Sequence, residues 1–213
     1  MMGSWHERDR IYPKHPVLLQ DLPSIYGPPM RYMPEACNSS WHRPAAGRGA
    51  DATIVMAGNI RTRALLNQRL FGAGLPVRLY GAPVADWVRT PELAAAHTGE
   101  YLARAENLDV FRRARGVANS PPSAEYAGVK CRLFGACGSG GLVLTELRSG
   151  VTDLFEPGRE LYGFISSKGS GRSSSGTWPI PSTDRRSRIK RAKLARFDHT
   201  YEHRFAAILE GLV

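Results

Sequence analysis

Two groups of residues in this chain have the types and spacing of a phosphate-binding site. Gly58 and Asn59 follow a short apolar run, and Arg63 lies in the first turn of the predicted helix that comes next. Lys130 and Arg132 form a second group, at the start of another predicted helix. A glycine lets the backbone approach a phosphate closely, and an arginine can bind two of its oxygens at once. These residue types therefore predict the binding of a diphosphate.

Both groups also have a simpler interpretation. The first can be an ordinary strand-to-helix turn followed by surface arginines, and the second can belong to a solvated helix face. The two interpretations differ in one structural consequence. If the two groups bind one diphosphate, the fold must bring Arg132 close to Gly58. If they are surface residues, no such contact is required.

A parallel sheet would bring the two groups together. Short apolar runs of the kind that form buried parallel strands recur along the chain, at 52–57, 76–80, 116–119, 142–147 and 161–165. Segments with helical character, at about 61–71 and 105–115, alternate with them. The pattern predicts an α/β fold, a Rossmann-like parallel sheet with helices on both faces, in which ligands bind where the strands end.

The remaining segments define four predicted regions. Residues 1–50 are proline-rich and irregular, and residues 51–165 hold the predicted Rossmann-like domain. Residues 166–183 are rich in serine and glycine and have the composition of a flexible linker. Residues 184–213 are expected to form C-terminal helices.

Composition limits the class of protein. The 213 residues carry a net charge of +10, and the segment from residue 166 onwards supplies +6 of it. No apolar run reaches the roughly 18 residues of a membrane span, and the polar N-terminus lacks a signal-peptide core. We therefore expect a cytoplasmic protein. Its three cysteines, Cys37, Cys131 and Cys137, are too few for a disulfide framework, and Cys131 and Cys137 are expected to be small buried residues rather than zinc ligands.

Two C-terminal patterns suggest other ligands. Residues 185–196 contain seven Lys or Arg, enough for salt-sensitive binding of nucleic acid, but no aromatic residue interrupts them for base stacking. We interpret this run as a solvated helix. His199 and His203 share a helix face, but Thr200 replaces the glutamate of a His-Glu-x-x-His zinc motif. We expect no metal site there.

Further motifs give a resemblance to a known family. Asn119 follows a strand, Arg132 and Phe134 lie on the next helix, Gly140-Gly141 precedes the next strand, and Phe155 begins a Phe-Glu-Pro-Gly-Arg-Glu segment. His-Thr-Tyr-Glu-His-Arg follows at 199–204. Together these resemble the donor-binding domain of CgeB-like (spore-maturation type) glycosyltransferases. The resemblance covers roughly residues 30–213 and is poor over 166–184.

The resemblance implies a function and a set of site residues. Such a domain is a single half of a two-domain GT-B enzyme, and it binds a nucleotide-sugar without a bound metal or other cofactor. The implied donor-binding residues are Gly58, Asn59, Arg63, Asn119, Lys130, Arg132, Glu156, Gly158 and Glu160. The acidic residues of this set have a structural alternative as turn and capping residues. No catalytic residue is assigned.

One position departs from the family pattern. Gly135 stands where the family has a glutamate that is expected to accept hydrogen bonds from the nucleotide ribose. Glycine also weakens a helix by about 1 kcal/mol relative to alanine, so the helix is expected to be short here or the copy degenerate.

We interpret the chain as a glycosyltransferase donor-binding domain, truncated or inactive, with its acceptor domain in a separate chain or segment. The alternatives are a non-catalytic nucleotide- or partner-binding module and a basic nucleic-acid-binding protein. The sequence leaves open the donor sugar, the base, the acceptor, the oligomeric state and whether the chain alone is active.

Overall fold

A computed structural model gives the fold of this chain. It describes residues 33–44, 53–58, 74–83, 86, 89–119, 128–164, 189–190, 192–193 and 198–211. The predicted linker at 166–183, the basic run except for four of its residues, and the predicted helix that carries Arg63 lie outside these residues, as does Asn59.

Five strands form one parallel sheet, in the order β2-β1-β3-β4-β5. They are β1 (Ile54–Ala57), β2 (Val77–Tyr80), β3 (Gly116–Asn119), β4 (Val143–Glu146) and β5 (Tyr162–Phe164). Each lies within a run that the sequence predicts, because a strand covered on both faces is made mostly of apolar residues. The Rossmann-like parallel sheet is therefore confirmed.

Five helices complete the described part of the fold. They are α1 (Pro91–Ala96), α2 (Arg104–Arg113), α3 (Cys131–Gly138), α4 (Ser149–Thr152) and α5 (Tyr201–Glu210). Local capping explains where two of them begin. The Thr90 hydroxyl accepts a hydrogen bond from the Leu93 amide at α1, and the Thr200 hydroxyl accepts one from the His203 amide at α5. None of the described helices combines the length and apolar character needed to cross a bilayer.

Successive residues of β1 enter opposite faces of the sheet, as the two-residue period of a strand requires. Val55 and Ala57 pack in the larger core cluster with residues of α2 and α3, such as Phe111 and Phe134. Ile54 and Met56 pack in a second cluster that includes Leu93 of α1. Helices therefore cover both faces of the sheet, as predicted.

Helix α3 continues through its glycines, contrary to the expectation that they would shorten it. Gly135 and Gly138 both lie inside α3 and are buried. A Cβ atom at Gly135 would lie 2.8 Å from His42 Nε2, and one at Gly138 would lie 3.0 Å from His42 Cβ. The glycines are therefore packing residues, which let another segment lie directly on the helix.

That segment consists of residues 35–43, which we call the strap. Its Cys37 amide donates to the His199 carbonyl at 2.8 Å, and the Tyr201 amide donates to the Cys37 carbonyl at 3.1 Å. Arg112 of α2 donates to the carbonyls of Trp41 and Arg43, at 2.6 and 2.7 Å. The strap thus connects the start of α5 to α2 and α3.

An aromatic group lies beside the strap and fixes the start of α5. The rings of Phe134, Phe155 and His199 pack against one another, with centroids 4.7 to 5.6 Å apart. His199 is buried, and Arg204 Nη2 lies 3.1 Å from its Nδ1. The 199–204 segment is therefore a packing element. No group of residues with metal-ligand character occurs within the described ranges.

Candidate functional site

The parallel strands all begin on one side of the sheet and end on the opposite side. The candidate site lies on the side where they end. Gly58 immediately follows β1, Gly81 follows β2, and Asn119 is the last residue of β3. A Cβ at Gly81 would overlap the Gly58 carbonyl, so the chains leave β1 and β2 in close contact. We call this the ending edge. It is the edge where doubly wound sheets bind their ligands.

The side chain of Arg132 extends from α3, and its guanidinium lies beside Gly58 at this edge. A Cβ built on Gly58 would fall on Arg132 Nη2 and would lie 3.2 Å from Cζ. Gly58 has a φ of +110°, a conformation that residues with a side chain rarely adopt. The structure thus brings together two predicted site residues that lie more than 70 positions apart in the sequence.

The Arg132 guanidinium is half-buried, and burial lowers its pKa. Within the described residues, no carboxylate lies within ion-pair distance of it, and it makes no hydrogen bond. A cation that is largely removed from water normally has a charged partner, because its desolvation is costly. The arginine remains charged at neutral pH, so its environment is one in which an anionic ligand would be stabilised.

The start of α3 carries two further charges. Lys130 is exposed and is the N-terminal capping residue of the helix. From the strap, the Glu35 carboxylate accepts a hydrogen bond from the Cys131 amide. Cys131 is exposed, contrary to the expectation that it is buried, whereas Cys137 is buried as expected and Cys37 is buried too. Partial burial of the Cys131 sulfur and the adjacent Glu35 carboxylate raise the pKa of this thiol.

Asn119 is a buried residue of the ending edge. Its Nδ2 donates to Thr145 Oγ1 on the neighbouring strand β4, at 3.1 Å. Both residues are nearly inaccessible to solvent. The structure therefore places Asn119 at the predicted edge, where its amide joins β3 to β4.

Two charged residues at the end of β4 were missed by the sequence analysis. Glu146 Oε2 and Arg148 Nη2 form an ion pair of 2.9 Å, with less than a fifth of either side chain exposed. Arg148 precedes α4 directly, in the same relation that Lys130 has to α3. A basic residue just before a helix is a signal that sequence reasoning could have used here as it did at Lys130.

The predicted site residues Glu156, Gly158 and Glu160 lie elsewhere. The carbonyl of Leu161, the residue just before β5, accepts a hydrogen bond from the Gly158 amide at 2.8 Å. Because the strands are parallel, this turn lies at the edge where the strands begin, opposite Gly58. The Glu160 carboxylate accepts from the Glu156 amide at 2.7 Å. The structure thus does not bring these three residues together with Arg132.

At position 135, where a glutamate was expected, the structure shows why glycine fits. The imidazole of His42 lies against Gly135, and its Nδ1 is 2.9 Å from both the amide nitrogen and the carbonyl oxygen of Asn38. The space that a side chain at position 135 would need is therefore filled by a ring from the strap.

The sequence profile of a family described as glycosyl transferase-like matches residues 61–210. The chain belongs to this family. The match spans α1 to α5 and includes Arg132 but not Gly58, which precedes it. A comparison with curated proteins gives no match.

Solved glycosyltransferase structures share the fold of this chain at low sequence identity. AviGT4, a glycosyltransferase involved in avilamycin A biosynthesis, superposes with a TM-score of 0.60 at 14% identity, over 89% of this chain and 59% of AviGT4. A glycosyltransferase from Rickettsia africae ESF-5 has a TM-score of 0.59 at 9% identity, over 96% of this chain and 63% of the other. The catalytic domain of starch synthase IV from Arabidopsis thaliana, solved with ADP and acarbose, has a TM-score of 0.53 at 10% identity, over 81% and 40%.

These neighbours are GT-B glycosyltransferases, and the Rossmann-like sheet of this chain matches theirs. The chain spans less than two thirds of the length of each of the three. It is therefore a glycosyl transferase-like domain that corresponds to part of a longer enzyme in each neighbour.

Proposed function

We propose that this chain binds the diphosphate of a nucleotide-sugar at the ending edge of its sheet, as the donor half of a GT-B glycosyltransferase. The observation that carries the proposal is the Arg132 guanidinium, half-buried against Gly58 and without an acidic partner among the described residues. A diphosphate supplies the missing charge and can accept two hydrogen bonds from one guanidinium.

The proposed chemistry is glycosyl transfer. The bond between the sugar C1 and the diphosphate breaks, a new bond joins C1 to an acceptor atom, and a nucleoside diphosphate leaves. Negative charge grows on the leaving diphosphate during this step, and positive groups held in place lower its energy. Arg132 and Lys130 are the groups that we propose for this role, which requires no bound metal.

The family resemblance supports assignment to the CgeB-like type. Of the motif residues in the described ranges, Arg132 lies beside Gly58, the double glycine precedes β4 and His199 packs in the core, whereas the segment that begins at Phe155 lies at the opposite edge of the sheet. The implied donor-binding role of Asn59 and Arg63 remains part of the proposal. The acceptor would be bound by a second domain, within the same polypeptide or in another chain.

Binding measurements on Arg132 test the proposal. We expect Arg132→Ala to weaken the binding of ADP or UDP by about 1.5–3 kcal/mol, roughly 10- to 150-fold, the loss typical of a hydrogen bond to a charged group. Isothermal titration calorimetry measures this directly. Arg89→Ala is the matched control, because Arg89 is an exposed arginine that forms a surface ion pair with Asp86. Its affinity should equal that of the wild-type chain.

A second comparison tests which edge of the sheet binds the nucleotide. Glu160→Gln changes the turn on the side of the sheet where the strands begin, which we call the beginning edge. This change should leave the ADP affinity unchanged. If Glu160→Gln weakens binding and Arg132→Ala does not, the donor site lies at the beginning edge and the proposal is wrong.

A further inference from the structure

A carboxylate of the chain already occupies part of the proposed anion site. The Glu35 side chain accepts a hydrogen bond from the Cys131 amide, the first amide of α3. Glu35 belongs to the strap and lies 96 positions from Cys131 in the sequence. The residues on either side of that amide are Lys130 and Arg132, the two cations that we propose for the diphosphate.

Neighbouring interactions hold the Glu35 carboxylate beside the Cys131 amide. Cys37, two residues after Glu35, is fixed by backbone hydrogen bonds to His199 and Tyr201. The same carboxylate also lies beside the Cys131 thiol, where burial and next the charge of Glu35 raise the pKa of that thiol. Glu35 is half-buried, so its charge is screened less than that of a fully exposed group.

A fixed negative charge at this place has a predictable effect on anions. It repels each negative charge on a ligand bound to Arg132, so its cost grows with the number of those charges. It also occupies an amide at the helix N-terminus, a position that favours phosphate oxygens. An uncharged ligand experiences neither effect.

We propose that Glu35 is a specificity-determining residue that limits the negative charge accepted at the Arg132 site. This inference rests on the proposed nucleotide-sugar function and adds to it. A nucleotide-sugar carries two charges on its diphosphate, whereas the free diphosphate product carries close to three. Glu35 therefore favours the donor over the product and helps the product to leave.

The test compares ligands of increasing charge on a Glu35→Gln variant. The amide keeps an oxygen to accept the Cys131 hydrogen bond, so the change removes the charge and keeps the contact. Adenosine, AMP, ADP and ADP-glucose are titrated by calorimetry, with the uridine series in parallel. We expect ADP to bind roughly three- to tenfold more tightly to the variant, AMP to gain less, and adenosine to be unchanged. The gain should shrink as sodium chloride is raised, since salt screens the repulsion.

Glu106→Gln is the matched control, because the Glu106 carboxylate also accepts a backbone hydrogen bond at the start of a helix, from the Ala103 amide at 2.6 Å. Its affinities should equal those of the wild-type chain. The amide resonance of Cys131 in a ¹H–¹⁵N spectrum gives an independent readout. It should shift in Glu35→Gln, and in the wild-type chain it should shift further when ADP binds.

The outcomes separate this inference from the proposed function. ADP binding that depends on Arg132 but is unchanged or weakened in Glu35→Gln contradicts the role of Glu35 alone. An equal gain for adenosine and ADP also contradicts it, because such a gain does not depend on charge. Absence of ADP binding by both the wild-type chain and the variant contradicts the inference and the proposed function together.

Discussion

Residue 58 must be a glycine for two physical reasons that can be separated. Its φ of +110° is strained for any residue with a Cβ, and that Cβ would fall on the Arg132 guanidinium. The first reason concerns stability and the second concerns the site. The sequence suggested a glycine that lets the backbone approach a phosphate, whereas in the structure its missing side chain makes room for the arginine.

We expect Gly58→Ala to destabilise the fold by about 1–3 kcal/mol, the usual cost of a strained backbone position, and to weaken ADP binding because Arg132 must move. Urea unfolding and calorimetry measure the two effects. Gly74→Ala is the control: Gly74 has a φ of +66°, and nothing lies within 4 Å of its Cβ position. It should lose stability but keep its ADP affinity. Unchanged ADP affinity in Gly58→Ala would show that the position of Arg132 does not matter.

His199 makes stability depend on pH. Burial, and next the charge of Arg204, lower its pKa below the usual value near 6.5. The unfolded chain therefore binds a proton at this residue more readily than the folded chain does. The stabilisation by neutral His199 is fully present above about pH 6.5, and it is lost as the pH falls through the lower folded pKa.

We therefore expect the free energy of unfolding to fall between about pH 7 and pH 5, and His199→Gln to reduce the slope. Urea unfolding at a series of pH values measures the slope, and NMR titration of the imidazole resonances gives the folded pKa. A folded pKa of His199 at or above 6.5 would contradict this expectation.

At the scale of elements, close packing of the strap on α3 requires glycine at two positions of the helix. Two glycines in a helix cost about 1 kcal/mol each relative to alanine. Close packing of the strap on α3 offsets that cost, since His42 and Cys37 occupy the space next to Gly135 and Gly138. The glycine-rich pattern that suggested a short or degenerate helix is thus explained by a tertiary contact.

A double-mutant cycle tests this contact. In a His42→Ala background, Gly135→Ala should stabilise the protein by about 1 kcal/mol, because alanine is the better helix former. With His42 present, the added methyl group meets the imidazole, and the same change should give less stability or destabilise. We expect a coupling of about 0.5–3 kcal/mol between the two positions, measured by chemical denaturation. Additive effects would mean that His42 does not occupy the space beside Gly135 in solution.

At the scale of the whole molecule, ligand binding and folding are linked. A ligand that binds only the folded state adds about 2.7 kcal/mol of stability at 100 times its Kd. For a protein of this size, that corresponds to a rise in Tm of roughly 5–10 °C. The Tm of the whole chain is therefore a test of the site that does not depend on catalysis.

We expect saturating ADP to raise the Tm of the wild-type chain by this amount, and the same ADP concentration to raise that of Arg132→Ala much less. Replacing the seven basic residues of 185–196 with glutamine should leave the shift intact, because they are not part of the proposed site. Differential scanning fluorimetry measures all three proteins. Loss of the shift in the glutamine variant, with its retention in Arg132→Ala, would instead favour phosphate binding by the basic run.

The sequence alone determined the strands and the fold class. A strand buried on both faces of a parallel sheet is mostly apolar, so Ile54–Ala57, whose four residues are all apolar and buried, is visible as a run. It also identified Gly58 and Arg132 as candidates, because residue types at strand ends and helix starts carry local information.

Only the tertiary structure decided which candidates share a site. Arg132 lies beside Gly58, but the Gly158 turn precedes a strand instead of following one, and the direction of parallel strands places it at the opposite edge. The contact between Glu35 and Cys131 joins residues 96 positions apart, and no local pattern encodes a pair so distant. Local propensity and periodicity act over a few residues, whereas the meeting of two such segments depends on how the whole sheet and its helices pack.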